Sequence, residues 1–377
     1  MQMKRFGLCA ALSAAALLLL AGCAGSGSTA APTLTVESSY PLQYAKQFTV
    51  DECTGGYERI TIADSQYLAV PTGDAVPEDL PQGTTVLQQP IENIYLVSTS
   101  AMDPIISLGA LDSIALSGTK ADGWYLPEAK AAMQAGPIAY AGKYSAPDYE
   151  TILASGCGLA IENTMIYHTP EVKEQLEKFG IPVLVERSSY ETNPLARMEW
   201  VKLYGILLGK QQEAEPLFDT QVQRVAPLEN QQPTGKTVAF FSITSNNLVT
   251  VRKGSDYVAR MIEMAGGSYV FADLTDNGNN LATINLSLED FYAGAKDADV
   301  LLYNSTIEGS IASTEQLVEK CPLLAQFKAV QNGNVWCTAQ SLFQQSMELP
   351  DLILDMNRVF TEGTPADSEL TFLTHVE

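Results

Sequence analysis

Two histidines, His168 and His375, are the only imidazoles in this 377-residue chain, and their scarcity decides much of its chemistry. A site for a free zinc or manganese ion needs several His and carboxylate ligands converging on one point. His375 lies close to the last residue, and His168 stands beside Tyr167 in a setting typical of packing. No directly bound metal is therefore expected, and iron, if carried, would arrive wrapped in an organic chelator. Catalytic patterns are equally thin: the sequence has no Walker-type phosphate loop, no G-x-S-x-G turn and no H-E-x-x-H helix. With 44 Asp and Glu against 22 Lys and Arg, carboxylate pairs arise by chance, and none has a spacing that marks it for hydrolysis. Neither catalysis nor a resident cofactor is expected. The formal charge of −22 also repels phosphate backbones, which argues against nucleic-acid binding.

What remains is the chemistry of recognition. Trp124, Tyr125, Tyr140, Tyr144 and Tyr167 stand where loops should leave strands in the first half of the chain. Thr244, Asn246, Arg252, Tyr303, Asn304, Gln340 and Phe343 do so in the second. Flat aromatic faces suit a large planar or macrocyclic ligand, with a few polar groups to fix its orientation. Arg252 is a candidate partner for a ligand carboxylate, phenolate or catecholate oxygen. Two glutamates repeat a device: Glu150 in APDYETIL and Glu289 in LSLEDFY each open a short helix ahead of a buried strand. Free amides and the helix dipole stabilise a carboxylate there. That explains one such Glu, but not its recurrence in each half.

Two α/β halves must position these groups. Largely apolar runs at 93–98 (NIYLVS), 113–117, 158–162 and 181–185 read as strands covered on both faces, as do 237–243 (TVAFFSI), 298–303 and 334–338. Helical stretches such as 170–179 and 255–265 complete β-α-β units, the latter stopped by Gly266-Gly267. Between the halves, 194–230 reads as a connecting helix with an apolar stripe from Leu195 to Leu208, interrupted at Gly205, Gly209 and Pro216, with Pro216 expected to start or kink its second part. Glu191, Arg197 and Glu199 could brace that helix or line a cleft edge, and none sits at helical pairing distance from another. Residues 34–90 read as a β-rich N-terminal extension, ahead of an N-terminal lobe at 91–193 and a C-terminal lobe at 231–377.

Lys4 and Arg5, an apolar run and Leu20-Ala21-Gly22-Cys23 form an export signal over residues 1–22. Its ending resembles a bacterial lipobox, in which Cys23 receives a diacylglyceryl thioether and becomes the mature N-terminus. Small polar residues at 23–33 read as a flexible tether. In an exported protein Cys53, Cys157, Cys321 and Cys337 allow three disulfide pairings. Cys321 and Cys337, flanking one helix and the strand after it, are the candidate pair, against the alternative of four buried thiols.

The order of parts resembles class III substrate-binding proteins of ABC importers, which bind ferric siderophores, haem or cobalamin. The most similar segments are 191–215 (ETNPLARMEWVKLYGILLGKQQEAE) and 249–273 (VTVRKGSDYVARMIEMAGGSYVFAD), within a resemblance over about residues 90–365. It implies two Rossmann-like lobes joined by a long helix, with a ligand cleft between them. It also implies that Glu150 and Glu289 pair with Arg residues of the two permease subunits, and that Tyr144 and Phe343 sit on ligand loops of opposite lobes. The expectation is a lipoprotein on the outer face of the cytoplasmic membrane. It would hand a ferric siderophore or haem to a permease dimer and its ATPase. A corrinoid is the alternative within the family; a non-transport sensor or an extracytoplasmic hydrolase lies outside it. Residues 33–88 resemble nothing in the smaller members.

Overall fold

The computed structural model describes residues 33–275 and 281–377. The export signal, Cys23 and the tether up to residue 32 lie outside the described residues. The N-terminal extension is a five-stranded sheet of β1 (Val36–Ser39), β2 (Phe48–Cys53), β3 (Tyr57–Ile62), β4 (Ser65–Val70) and β5 (Thr85–Gln88), in chain order. Alternation of side chains divides its two faces. Phe48, Val50, Ile60, Ile62 and Tyr67 enter the main core, while Cys53, Tyr57, Leu68 and Val70 close a small cluster on the other side.

The N-terminal lobe follows with β6 (Ile94–Leu96), β7 (Ile114–Ser117), β8 (Ala139–Tyr140), a two-stranded ribbon of β9 (Gly142–Lys143) and β10 (Ala146–Pro147), then β11 (Leu159–Glu162) and β12 (Val183–Val185). Its sheet is parallel in the order β12-β11-β6-β7-β8. The strand order reverses between β6 and β11, and loops leaving the carboxyl ends there open a crevice in such folds. The C-terminal lobe carries β13 (Thr237–Ile243), β14 (Val249–Arg252), β15 (Ser268–Tyr269), β16 (Thr283–Leu286), β17 (Val300–Tyr303), β18 (Val335–Thr338) and β19 (Leu373–His375). These run β16-β14-β13-β17-β18-β19, with β15 also on β13. The central β13, β17 and β18 are parallel, and β14, β16 and β19 are antiparallel additions.

The connecting segment is a helical hairpin rather than one continuous helix. Pro194–Leu208 ends at Gly209, left-handed with φ 66°, and Gln211–Val225 packs back against it. Gly205 permits that closeness, because a Cβ there would stand 2.7 Å from the Cβ of Ala214. The second helix runs through Pro216, so the break falls at Gly209 instead. Every residue of Pro194–Leu208 is buried, and one core joins this helix to the N-terminal sheet and to both lobes.

Cys53, Cys157, Cys321 and Cys337 are all free thiols, which corrects the Cys321–Cys337 pairing. Both of those side chains are 3% exposed and pack into the main core as small apolar groups. No helix among the described residues is long and apolar enough to cross a membrane.

Candidate functional site

A cleft of about 710 Å³ opens between the lobes. The N-terminal lobe lines it with Ser98–Ser100 after β6, with Asn163–Met165 and His168 after β11, and with residues between Glu186 and Thr192 after β12. The first two of these are the loops at the reversal of strand order. Arg197, in the first turn of the hairpin, also lines it. The opposite wall is Arg252, Lys253, Ser255, Asp256, Tyr257, Leu281, Ala282 and Phe343.

Three of its arginines each lie over an aromatic ring. Arg187 stands 4.7 Å from the centroid of Tyr190, Arg197 4.8 Å from Tyr257, and Arg252 4.6 Å from Phe343. Stacking holds a guanidinium in plane and leaves edge N–H groups to donate to oxygens. The main chain of Arg252 is fixed as well: its N–H donates to the Tyr269 hydroxyl at 3.1 Å, and that hydroxyl donates to its carbonyl at 2.8 Å. Asp256 lies 3.5 Å from Arg252 and accepts the Val258 N–H at 2.9 Å, capping the next helix. Burial pushes the Asp256 carboxyl up, while Arg252 and Arg197 pull the other way.

The acids of the cleft are engaged internally. Glu186 accepts Ser98 Oγ at 3.0 Å, Ser100 Oγ at 2.9 Å and the Ser188 N–H at 2.7 Å, tying the β6 and β12 loops together. Glu191 accepts the main-chain N–H groups of Lys46 at 3.0 Å and Gln47 at 2.9 Å, and Trp200 Nε1–H at 3.0 Å. Within the helix Pro194–Leu208, Glu199 accepts the N–H groups of Gln43, Tyr44 and Ala45 at 2.8, 2.8 and 2.9 Å, and pairs with buried Lys202 at 3.0 Å. Glu191 and Glu199 thus clasp five consecutive amides of the N-terminal extension, while Arg197 between them reaches the cleft. Among the described lining residues, Arg187, Arg197, Arg252 and Lys253 face three acids, Glu186, Glu191 and Asp256. The described lining thus carries one more cation than acid within a chain of net charge −22, and its three arginines are suited to anionic oxygens of a ligand.

Of the twelve residues expected to touch ligand, Arg252 and Phe343 line this cleft, facing each other. Trp124 and Tyr303 are corrected to core positions, 1% and 0% exposed, and the Trp124 indole N–H is taken by Ser117 Oγ at 3.2 Å. Asn304 is buried as the cap of Ser305–Glu308. Thr244 and Asn246 belong to a tight hairpin, closed by the Thr244 N–H to Leu248 carbonyl bond, that turns β13 into β14. Tyr144 packs half-buried on the N-lobe core, and Tyr140 is exposed beneath Lys120. Tyr167 is exposed on the 163–168 loop. Tyr125 is exposed, its N–H bonded to Gln344 Oε1 of the other lobe at 2.8 Å. Gln340 lies half-buried after β18. Arg187 and Tyr190 were missed, although the run ERSSYETNPLAR concentrates charge directly after a buried strand; Arg197 and Glu191, left open between bracing the helix and lining a cleft edge, both line the cleft.

Glu150 and Glu289 are both exposed, each the second residue of its helix, Tyr149–Ala154 and Leu288–Ala295. Asp148 and Ser287 cap those helices by accepting the Thr151 and Asp290 N–H groups. The two lobes therefore present a carboxylate by the same local construction. No group of three or more His, Cys, Asp or Glu side chains among the described residues is arranged to hold a metal ion.

Residues 96–341 match the model of the periplasmic binding protein family. An uncharacterized lipoprotein of Methanocaldococcus jannaschii is 25% identical over 314 residues, covering 79% of this chain and 72% of its own length. Among solved structures, the periplasmic haem-binding protein HutB of Vibrio cholerae shares the fold at 17% identity, with a TM-score of 0.57 over 73% of this chain and 99% of that one. An ABC-type Fe3+-hydroxamate transport protein of Saccharomonospora viridis does so at 22% identity, with a TM-score of 0.57 over 72% and 94%.

Proposed function

The chain belongs to the periplasmic binding protein family, and from that premise we propose that it captures an anionic iron chelate, a ferric siderophore or haem, and delivers it to an ABC importer. The observation that carries this reading is the set of three ring-stacked arginines converging on the interlobe cleft. Ferric catecholates, carboxylate siderophores and haem propionates all offer oxygens to such donors. A corrinoid, edged largely by neutral amides, would use them less. The haem and hydroxamate proteins that share the fold support an iron chelate as the cargo, while a vitamin B12-binding protein that shares it keeps the corrinoid as the reading to test against. The reading is of a binding protein rather than an enzyme.

Delivery would use Glu150 and Glu289. Two carboxylates on rigid lobes can engage a two-fold permease in one orientation, giving register and steering more than affinity. The thioether at Cys23 would hold the protein at the outer face of the cytoplasmic membrane. The test is a fluorescence titration of residues 24–377 with haem, an anionic ferric catecholate and a corrinoid, paired with native mass spectrometry. Submicromolar binding of haem or the catecholate, weakened about tenfold or more by Arg197→Ala and by Arg252→Ala, is the expected result. Tight binding of the corrinoid alone would replace the ligand assignment.

A further inference from the structure

The N-terminal sheet lies outside the residues matched to the family, yet its loop reaches the wall of the cleft. Gln47 is fixed at its main chain, where its N–H donates to Glu191 at 2.9 Å. Its side chain turns to Arg187, whose Nε–H donates to Gln47 Oε1 at 3.2 Å. The same guanidinium is stacked on Tyr190 and lines the cleft. Nε is thereby held at one edge and the ring at one face, and those two constraints define the plane of the group. The two terminal amino groups are left for a ligand.

We propose that Gln47 is a positioning residue of the ligand cleft, and that the N-terminal sheet contributes through it to recognition of an anionic ligand. This rests on the reading of the cleft given above. An amide suits the role chemically: it accepts the Nε–H while leaving the positive charge of Arg187 intact, whereas a carboxylate at this position would pair with that charge and cancel it. The clasp of Glu191 and Glu199 on residues 43–47 gives Gln47 a rigid base.

The experiment compares residues 24–377 with the Gln47→Ala and Gln47→Glu variants. Hydrogen exchange of the Arg187 Nε–H is followed by NMR without ligand, and affinity is titrated with haem and an anionic ferric catecholate. Gln47→Ala should lose Nε–H protection and bind about 3- to 10-fold more weakly, the loss of one hydrogen bond, with an unchanged thermal midpoint. Gln47→Glu should keep the protection and bind more weakly still. Unchanged protection in Gln47→Ala overturns the proposal. So does lost protection with unchanged affinity, or a Gln47→Glu variant that binds as tightly as the parent. Should the parent bind neither probe, the chelate reading fails; the exchange data still decide whether Gln47 fixes Arg187.

Discussion

At the scale of single residues, two glutamates, Glu191 just ahead of the helical hairpin and Glu199 within it, tie the N-terminal extension to the rest of the molecule. Glu199 is wholly buried, with three amides and Lys202 satisfied by its two oxygens. Lys202 is itself 1% exposed and lies 4.7 Å from the Phe218 ring. Removing one partner of such a pair strands the other charge away from water, which costs about 3–5 kcal/mol. Glu199→Ala should therefore lower stability by about 3 kcal/mol or more in urea unfolding, whereas a loss below about 0.5 kcal/mol would show that the clasp is not holding the N-terminal extension. In the sequence Glu191 and Glu199 stood out by type but not by role. Their partners are main-chain amides some 150 residues earlier, contacts that no local spacing encodes.

At the scale of elements, the close crossing in the helical hairpin depends on the missing side chain of Gly205. A methyl group there meets Ala214 Cβ at 2.7 Å and the Lys210 carbonyl at 3.1 Å. Overpacking of this kind costs about 1–3 kcal/mol, so Gly205→Ala should reduce the unfolding free energy by that amount; a neutral or stabilised variant would contradict the packing. The short helices at Glu150 and Glu289 make a separate prediction. Glu150→Lys and Glu289→Lys should each reduce uptake in cells and together abolish it, with ligand affinity unchanged in vitro, while full uptake by the double variant would remove the docking assignment. The strands were largely legible, since apolar runs at 158–162 and 237–243 reappear as Leu159–Glu162 and Thr237–Ile243. Much of the cleft was not, because a strand of the C-terminal lobe turns back at 244–248 and delivers Arg252 alongside the middle of β13. The sequence marks that turn only by its polar residues, which read equally well as a ligand loop.

At the scale of the whole molecule, buried carboxyls link stability to pH. Burial pushes Glu58 up to about 7, Glu162 up to about 8 and Asp103 up to about 8, with Glu348 adding to the rise of Asp103. Asp103 sits where the lobes meet: it accepts the Met347 N–H at 2.7 Å, beside the Ser346 hydroxyl that donates to the Ser100 carbonyl at 3.0 Å. Acids raised in this way hold protons in the folded state that the unfolded chain would release. Their contribution is complete below the ordinary carboxylate range and is lost as pH rises through about 7 to 8. The thermal midpoint should fall between about pH 5 and about pH 9, and Glu162→Gln, which removes a carboxyl with no partner among the described residues for either oxygen, should flatten that slope; a midpoint that rises across the interval contradicts the assignment. The cleft is where an acidic chain brings three arginines together between two lobes. Its most direct measurement is the titration of residues 24–377 with an anionic ferric catecholate and with haem, repeated in Arg197→Ala and Arg252→Ala. Saturable submicromolar binding that weakens about tenfold or more in both variants is the predicted result, and binding that is absent in the folded parent, or indifferent to both arginines, would contradict it.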